Sequence, residues 1–166
     1  AFSAQAATAQ SGLQIRNATV FDVFDMSEVL TTSIIQLCDM DHGNDPAKLS
    51  AWLGNKTAAD IRDWVIADTP PLICEYRGQV AGVGHALLDG SISLLYVAPH
   101  AVGHGLGQAL LLALEAQLRA QGHTEAHLTA TESALGFYQS HGWECVGAPC
   151  NCFGLPGQPM RKLLQP

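Results

Sequence analysis

The stretch VGHGLGQALLLALEAQLRAQG, Val102 to Gly122, places three glycines at alternate positions directly before a long apolar helical pattern. Glycine leaves backbone N–H groups unshielded and permits positive φ, while the start of a helix adds unpaired N–H groups and a positive dipole end. Together these features can hold a phosphate through backbone alone. A tight strand-to-helix turn without a ligand is the alternative interpretation.

Around this stretch the pattern alternates between strands and helices. Upstream, PLICEY, QVAGVGHALL and SISLLYV predict three strands, with Arg77-Gly78 and Asp89-Gly90 as hairpin turns. Downstream, one apolar face predicts a helix that ends at Gly122, with Glu115 and Arg119 as an exposed i,i+4 pair. This face comprises Leu106, Leu110, Ala113, Leu114 and Leu118.

The flanking segments predict further elements. Before the hairpins we expect a strand at Leu13–Val20, a helix capped by Asp25 or Ser27, a helix from Pro46, and a capping box at Thr57–Asp60. After Gly122 the patterns AHLTAT, SALGFYQSH and WECVG predict strand, helix and strand. A long loop, Gly147 to Gln158, then precedes a last apolar segment, Met160 to Leu164.

This order predicts an α+β fold with a mixed, mostly antiparallel twisted sheet of about seven strands flanked by helices. A helix between SISLLYV and AHLTAT should make these two strands parallel neighbours. With 166 residues and 48% hydrophobic content, we expect one domain, residues 13–166, after a mobile tail of residues 1–12.

Composition narrows the classes of partner and compartment. Eight Lys and Arg against 15 Asp and Glu give a charge of -7, which disfavours nucleic acid. No apolar run reaches the length of a membrane span. The five cysteines lack a disulfide framework, which predicts reduced thiols and a cytoplasmic protein; a periplasmic protein without its leader would look the same. No ligand spacing for a metal is present.

Two familiar phosphate motifs do not fit the glycines. A dinucleotide fingerprint requires GxGxxG, whereas Gly107 is followed by Gln108 and Ala109. A Walker loop requires a Lys that this segment lacks.

The stretch LYVAPHAVGHGLGQALLLALE resembles instead the acetyl-CoA-binding motif of the GNAT superfamily of N-acetyltransferases, [RQ]xxGx[GA] between a strand and a helix. TESALGFYQSHGW resembles the second motif of that superfamily, an Ala-x-x-x-Tyr helix followed by Gly and an aromatic strand start. Val102 stands where the first motif has Arg or Gln, and Thr131 where many members have Asn.

The resemblance implies a binding site for acetyl-CoA as co-substrate. Leu95 and Val97 would pair with the pantetheine arm through their backbone. The amides of the glycine turn would wrap the pyrophosphate, and the second motif would line the cofactor. The turn residues are Gly103, His104, Gly105, Leu106, Gly107 and Gln108, and those of the second motif are Ala134, Phe137 and Tyr138.

The resemblance also implies the chemistry, in which a neutral amine attacks the thioester directly. Tyr138 would act as general acid toward the CoA sulfur, and the backbone N–H of Tyr96, or of its neighbour Leu95, would stabilise the oxyanion. His85 is the candidate base, with Glu75, the Asp41-His42 loop and a water relay as alternatives.

The acceptor is predicted to be the primary amine of a small molecule. Asp41, His42 and Trp52 are the candidate acceptor-binding residues, and acidic side chains near the cleft mouth would suit a cationic amine. Trp52, Trp64 and the Gly147–Gln158 loop are candidate walls, although helical tryptophans are commonly core residues. A protein N-terminus or lysine as acceptor, a non-catalytic CoA-binding module and a homodimer remain alternatives.

Overall fold

The computed structural model describes residues 12–152 and 154–165, so the predicted tail, residues 1–12, lies outside the described residues except for Gly12. The helices of this part are α1 (Val23–Leu37), α2 (Asp39–His42), α3 (Pro46–Leu53), α4 (Ala58–Val65), α5 (Leu106–Ala120) and α6 (Leu135–Ser140). Short 3₁₀ turns occur at Val20–Asp22, Pro99–Ala101 and Glu132–Ala134. None of the described helices has the length and apolar character needed to cross a membrane.

The described strands form two four-stranded sheets. The first has the order β1-β2-β3-β4, and in the second β8 pairs with β5, β6 and β7, all antiparallel. The predicted α+β class and mostly antiparallel pairing are confirmed. The strands are β1 (Leu13–Asn17), β2 (Leu72–Tyr76), β3 (Gln79–Ala86), β4 (Ile92–Val97), β5 (Glu125–Thr131), β6 (Glu144–Cys145), β7 (Cys150–Cys152) and β8 (Leu155–Leu163).

Local capping chemistry explains where the early helices begin. Asp45 caps α3 ahead of Pro46, and Thr57 and Asp60 form the predicted capping box of α4. The predicted cap of α1 at Asp25 or Ser27 is wrong. The Thr19 side chain instead accepts from Phe21 N in a capping box that starts the preceding 3₁₀ turn, so the helical segment begins earlier.

The strands β4 and β5 meet at one end and separate along the rest of their length. They share a parallel bridge between Ser91 and His127, where His127 N donates to Gly90 O at 3.1 Å. Beyond that bridge β4 pairs with β3 and β5 with β8, in different sheets. The predicted parallel neighbours are therefore confirmed only at this end, and a cleft opens between them.

The prediction of a long loop from Gly147 to Gln158 is wrong, because this segment contains β7 and the first residues of β8. Its Gly and Pro residues are typical of loops, but β8 pairs over seven residues with β5, from Thr131–Gly157 to Glu125–Leu163. Long-range pairing of this kind overrides local propensity and leaves no local signal.

The helix α5 packs its apolar face against β3 at very close range. A Cβ added at Gly82 would lie 2.7 Å from Leu110 Cδ1, and one at Gly84 would lie 2.9 Å from Leu114 Cδ1. Glycine in the strand therefore lets the helix approach the sheet, which fixes the position of its N-terminus beside the end of β4.

The side chain of Glu115 is buried in the core rather than exposed on α5. Its carboxylate accepts from Lys162 Nζ at 2.8 Å and from Trp143 Nε1 at 3.2 Å. The predicted surface pair with Arg119 is therefore wrong, because β8 brings an ammonium group to the inner face of the helix.

Candidate active site

Two cavities open on the cleft between β4 and β5. We call them the wide cavity, of about 650 Å³, and the narrow cavity, of about 250 Å³. Both are bounded by Leu94 and Tyr96 of β4 and by Leu128 to Thr131 of β5. The wide cavity is further lined by residues including Trp52, Lys56, Trp64, His85 and Met160. The narrow cavity is further lined by residues including Ser33, Cys38, Leu95, Val97, Ala134 and Tyr138.

Backbone alternation decides which amides of β4 face the cleft. Ala98 N donates to Ala81 O of the β3 segment at 2.7 Å. Because strand amides alternate in direction, the N–H of Tyr96, two residues earlier and opposite Val83, also points toward β3. The N–H groups of Leu95 and Val97 point into the cleft. The Tyr96 amide named from the sequence is therefore engaged within the sheet, and the Leu95 amide takes its place as the candidate.

Tyr138 contributes a buried phenol to the narrow cavity. Its ring makes edge contacts with Phe137 at 5.3 Å and with Trp143 at 6.0 Å between centroids. Burial, reinforced by the neighbouring Tyr96 phenol, raises the pKa of Tyr138, so it keeps its proton at neutral pH. Within the described residues its hydroxyl has no hydrogen-bond partner, which leaves it able to donate to a ligand.

The glycine turn presents a row of unused amides beside Val97, which lines the narrow cavity. Gly103 and Gly105 have φ of 87° and 82°, and a Cβ at either would meet nothing within 4 Å. The first helical hydrogen bond runs from Ala109 N to Gly105 O at 3.0 Å. Among the described contacts, none uses the N–H groups of residues 103 to 108. This arrangement suits an anion.

The second motif packs directly on this turn. A Cβ at Gly107 would lie 3.5 Å from Phe137 and 3.8 Å from Val97, so α5, α6 and β4 meet there. Leu106 is buried beneath the turn, whereas Gln108 is exposed. Ala134, before α6, lines the narrow cavity. The glycine turn, β4 and α6, which carry cofactor residues named from the sequence, therefore adjoin one another at Gly107.

The imidazole of His104 is directed away from the cleft, onto Tyr76 at the end of β2. The two rings stack at 4.9 Å, and His104 Nδ1 lies 3.2 Å from the Tyr76 hydroxyl. Arg77 covers the same Tyr76 ring at 5.1 Å. The backbone amide of His104 remains part of the glycine turn, but its side chain is held by this stack.

In the wide cavity, His85 is fixed as a neutral imidazole. Its Nε2 donates to Thr69 O at 2.8 Å, and burial lowers its pKa below 6.5 in spite of that contact. Its ring lies 6.3 Å from that of Trp64. Within the described residues no hydrogen bond reaches Nδ1, so this nitrogen can accept a proton.

The acceptor residues named from the sequence do not all reach a cavity. Trp52 does: it lines the wide cavity and donates from Nε1 to the Tyr96 hydroxyl at 3.1 Å. His42 is buried, donating from Nε2 to Ile34 O at 2.7 Å while Nδ1 accepts from Asn44 N at 2.9 Å. Both its nitrogens are thus occupied, and its role is structural.

Asp41 bridges α2 to the 3₁₀ turn before α6. Its carboxylate accepts from Ser133 N at 3.0 Å and from the Ser133 hydroxyl. Ser133 lines the narrow cavity, so Asp41 braces that cavity from outside and does not line the wide cavity.

A family model for the acetyltransferase (GNAT) domain matches residues 65–164, more than half of the chain. The chain belongs to the GNAT acetyltransferase family. This membership makes it an acetyl-CoA-dependent acyltransferase and confirms the resemblance of the two motifs. No curated protein matches the chain significantly.

Solved GNAT structures share the fold over nearly the whole chain. A GCN5-related N-acetyltransferase from Rhodopseudomonas palustris is 24% identical with a TM-score of 0.81, covering 91% of this chain and 95% of that one. PaiA N-acetyltransferase from Thermoplasma acidophilum, in complex with coenzyme A, is 16% identical with a TM-score of 0.75, covering 91% and 98%. Salmonella typhimurium yncA, with its cofactor acetyl-CoA, is 20% identical with a TM-score of 0.71, covering 93% and 95%.

Two positions depart from the GNAT motif pattern. Val102 is 53% exposed and offers no polar group before the glycine turn. The Thr131 hydroxyl, at the end of β5, lies 3.5 Å from the Ser133 hydroxyl. Because the unused contacts of the turn are backbone amides, the loss of an Arg or Gln side chain at 102 leaves them intact.

Sequence reasoning missed Lys56 in the wide cavity of this GNAT protein. Lys56 lies between the glycine after α3 and the Thr57 cap, where lysine is ordinarily solvent-exposed, yet the residue is only 4% exposed. No local signal marks it, because its surroundings include segments distant in sequence, such as α1, where the Ser27 hydroxyl donates to Lys56 O at 3.0 Å.

Proposed function

We propose that this GNAT protein transfers the acetyl group of acetyl-CoA to the primary amine of a small molecule by direct attack on the thioester. The observation that carries the proposal is the cleft between β4 and β5. Val97 of the narrow cavity lies beside Gly107 of the glycine turn, and the wide cavity on the same cleft holds His85.

The residues around the narrow cavity fit acetyl-CoA. The amides of residues 103 to 108 would bind the pyrophosphate, because they combine a helix N-terminus with glycines at positive φ. The cleft-facing backbone of Leu95 and Val97 would pair with the pantetheine arm. Phe137 and Ala134 would line its other side. When bound there, acetyl-CoA would supply an acetyl group activated as a thioester.

Three groups of the chain support the transfer. His85 Nδ1 would accept a proton from the acceptor amine, since a base with pKa below 6.5 is neutral at pH 7. The Leu95 amide would donate to the carbonyl oxygen as negative charge develops there. The Tyr138 hydroxyl, whose pKa is raised by burial, would hold the proton that the departing sulfur requires.

Direct transfer is favoured over a route through an enzyme thiol. Cys38 lines the narrow cavity, but burial, together with Asp41 and Asp39, raises its pKa to about 12. A thiol with such a pKa is almost wholly protonated at neutral pH, and the thiolate is the nucleophilic form.

A small-molecule acceptor is favoured by the size of the wide cavity. Its volume of about 650 Å³ lies within the range typical of pockets for small ligands. Residues of α3, α4, β3, β4, β5 and β8 line it. A shallow groove would be expected for a protein substrate.

The test is detection of acetylated product by mass spectrometry over a panel of primary amines, with wild type and Tyr138→Phe. We expect the variant to keep its Kd for acetyl-CoA and to lose about 10²- to 10⁴-fold in kcat, as is usual for removal of a general acid. Tight binding of acetyl-CoA without product from any amine would instead indicate a non-catalytic CoA-binding module. An unchanged kcat in Tyr138→Phe would remove Tyr138 from the mechanism.

A further inference from the structure

The described lining of the wide cavity contains no carboxylate, although the protein as a whole is acidic. Among the described residues that line it there is no Asp or Glu, whereas the chain carries 15 of them. The carboxylate of Asp41 accepts from Ser133 and does not line this cavity. A second ammonium group on the acceptor would therefore meet no negative charge among these residues.

Two basic side chains of the lining show that the wide cavity disfavours positive charge. Burial lowers the pKa of His85, in spite of its contact with Thr69 O, and burial lowers that of Lys56 to about 8. The Lys56 ammonium is held by the protein itself, because its Nζ donates to Trp52 O at 2.7 Å and to Asn55 Oδ1 at 2.8 Å. In both side chains, removal from water penalises the cationic form, and a further cation would meet the same penalty.

Apolar side chains form much of the remaining wall. They come from α3, α4, β4, β5 and β8 and include Trp52, Trp64, Leu94, Leu128, Leu155 and Met160. Two hydroxyls of the lining are engaged within the protein: that of Ser91 donates to Asp89 at 2.6 Å, and that of Ser93 donates to His85 O at 3.4 Å. Such a wall favours an acceptor that buries apolar surface against it.

Trp64 lies beside the position that the proposed function gives to the amine. Its ring centroid is 6.3 Å from that of His85, and the residue is partly buried against the core. An amine nitrogen at His85 Nδ1 would therefore bring the carbon atoms attached to it within reach of the Trp64 indole. The second indole of the cavity, Trp52, is fixed because its Nε1 donates to the Tyr96 hydroxyl at 3.1 Å.

We infer that the acceptor is a monoamine with an apolar or aromatic body and no second positive charge, and that Trp64 contacts this body beside the amine. This inference rests on the proposed function and names the acceptor class for the same site. It replaces the cationic acceptor that the acidic composition suggested.

The test compares amines that differ only in the body. The kcat/KM for acetylation would be measured with propylamine, butylamine, pentylamine and hexylamine, and with 1,5-diaminopentane, in which an ammonium group replaces the terminal methyl of hexylamine. We expect kcat/KM to rise about fourfold with each methylene, or about sixtyfold from propylamine to hexylamine. With 1,5-diaminopentane it should lie at least about a hundredfold below hexylamine, because the far ammonium is buried without a counter-charge.

Variants then test the assignment to Trp64. Trp64→Ala should lower the ratio of kcat/KM for hexylamine over propylamine, and Trp64→Phe, which keeps an aromatic ring, should retain most of it. An unchanged Kd for acetyl-CoA and an unchanged melting temperature would verify that α4 remains folded. If Trp64→Ala does not fold, Trp64→Leu and the wild-type series still decide. An unchanged ratio in the folded variant would overturn the assignment to Trp64.

The acceptor class is overturned if kcat/KM stays flat across the series, or if 1,5-diaminopentane is acetylated as efficiently as hexylamine. Either result would leave the proposed function standing, because the transfer itself would have been observed. If no amine is acetylated, calorimetry on the CoA-loaded protein would compare the products N-hexylacetamide and N-(5-aminopentyl)acetamide. Tighter binding of N-hexylacetamide would then support the cavity assignment and contradict the proposed function, whereas equal binding would overturn both.

Discussion

The anion-binding role of the glycine turn can be tested at Gly105. Two substitutions there have similar effects on backbone strain but differ in charge. Gly105 is the N-cap of α5 with φ of 82°, and a side chain there would meet nothing within 4 Å. Asp and Asn have the same shape, and both tolerate this left-handed conformation better than other residues. Gly105→Asn is thus a matched control for Gly105→Asp, with the added carboxylate charge as the intended difference.

Gly105→Asp should bind acetyl-CoA more weakly than Gly105→Asn, but without ligand it should be the more stable of the two variants. A carboxylate about 6 Å from a phosphate bound by the amides of the turn costs about 3 kcal/mol at an effective dielectric constant of about 20. This energy corresponds to about a hundredfold weaker binding of acetyl-CoA to Gly105→Asp than to Gly105→Asn. Without ligand, the Asp variant should be more stable by about 0.3–1 kcal/mol, because its charge complements the helix dipole.

Calorimetric titration with acetyl-CoA and thermal unfolding of the ligand-free proteins would measure the two effects. The difference in Kd should shrink as salt increases, since the turn is exposed and the interaction is screened. Equal Kd values for the two variants would refute the assignment of the pyrophosphate to this turn, even if both bind acetyl-CoA.

Two further predictions concern the base and the core. Burial lowers the pKa of His85, so kcat/KM should fall as pH decreases through a value below 6.5. His85→Gln should lose this acid limb together with about 10²- to 10⁴-fold of kcat/KM. A limb that persists in the variant would show that His85 is not the group responsible. Lys162→Met should lower the free energy of unfolding, measured with urea, by about 3–5 kcal/mol, because it leaves the Glu115 carboxylate buried without its cation. The double variant with Glu115→Gln should recover part of that loss. A loss below about 1 kcal/mol would mean that water reaches the carboxylate.

The amino-acid sequence determined the features that depend on neighbouring residues. Thr57 and Asp60 form a capping box wherever they precede a helix, and Pro46 suits a first helical turn in any context. Glycines at 103 and 105 marked a candidate anion-binding turn, because the absence of Cβ permits the positive φ that both residues adopt. The two GNAT motifs belong to this class, since each is a contiguous pattern.

Only the tertiary structure decided the features that depend on distant segments. The partner of Glu115 is Lys162, 47 positions away, and β8 forms in spite of its prolines because β5 lies beside it. The divergence of β4 from β5, and the burial of Lys56 in the cavity, likewise arise from segments that are remote in the chain. Long-range pairing and burial carry free energies that local propensities do not encode, so the lining of the wide cavity became visible only in the folded chain.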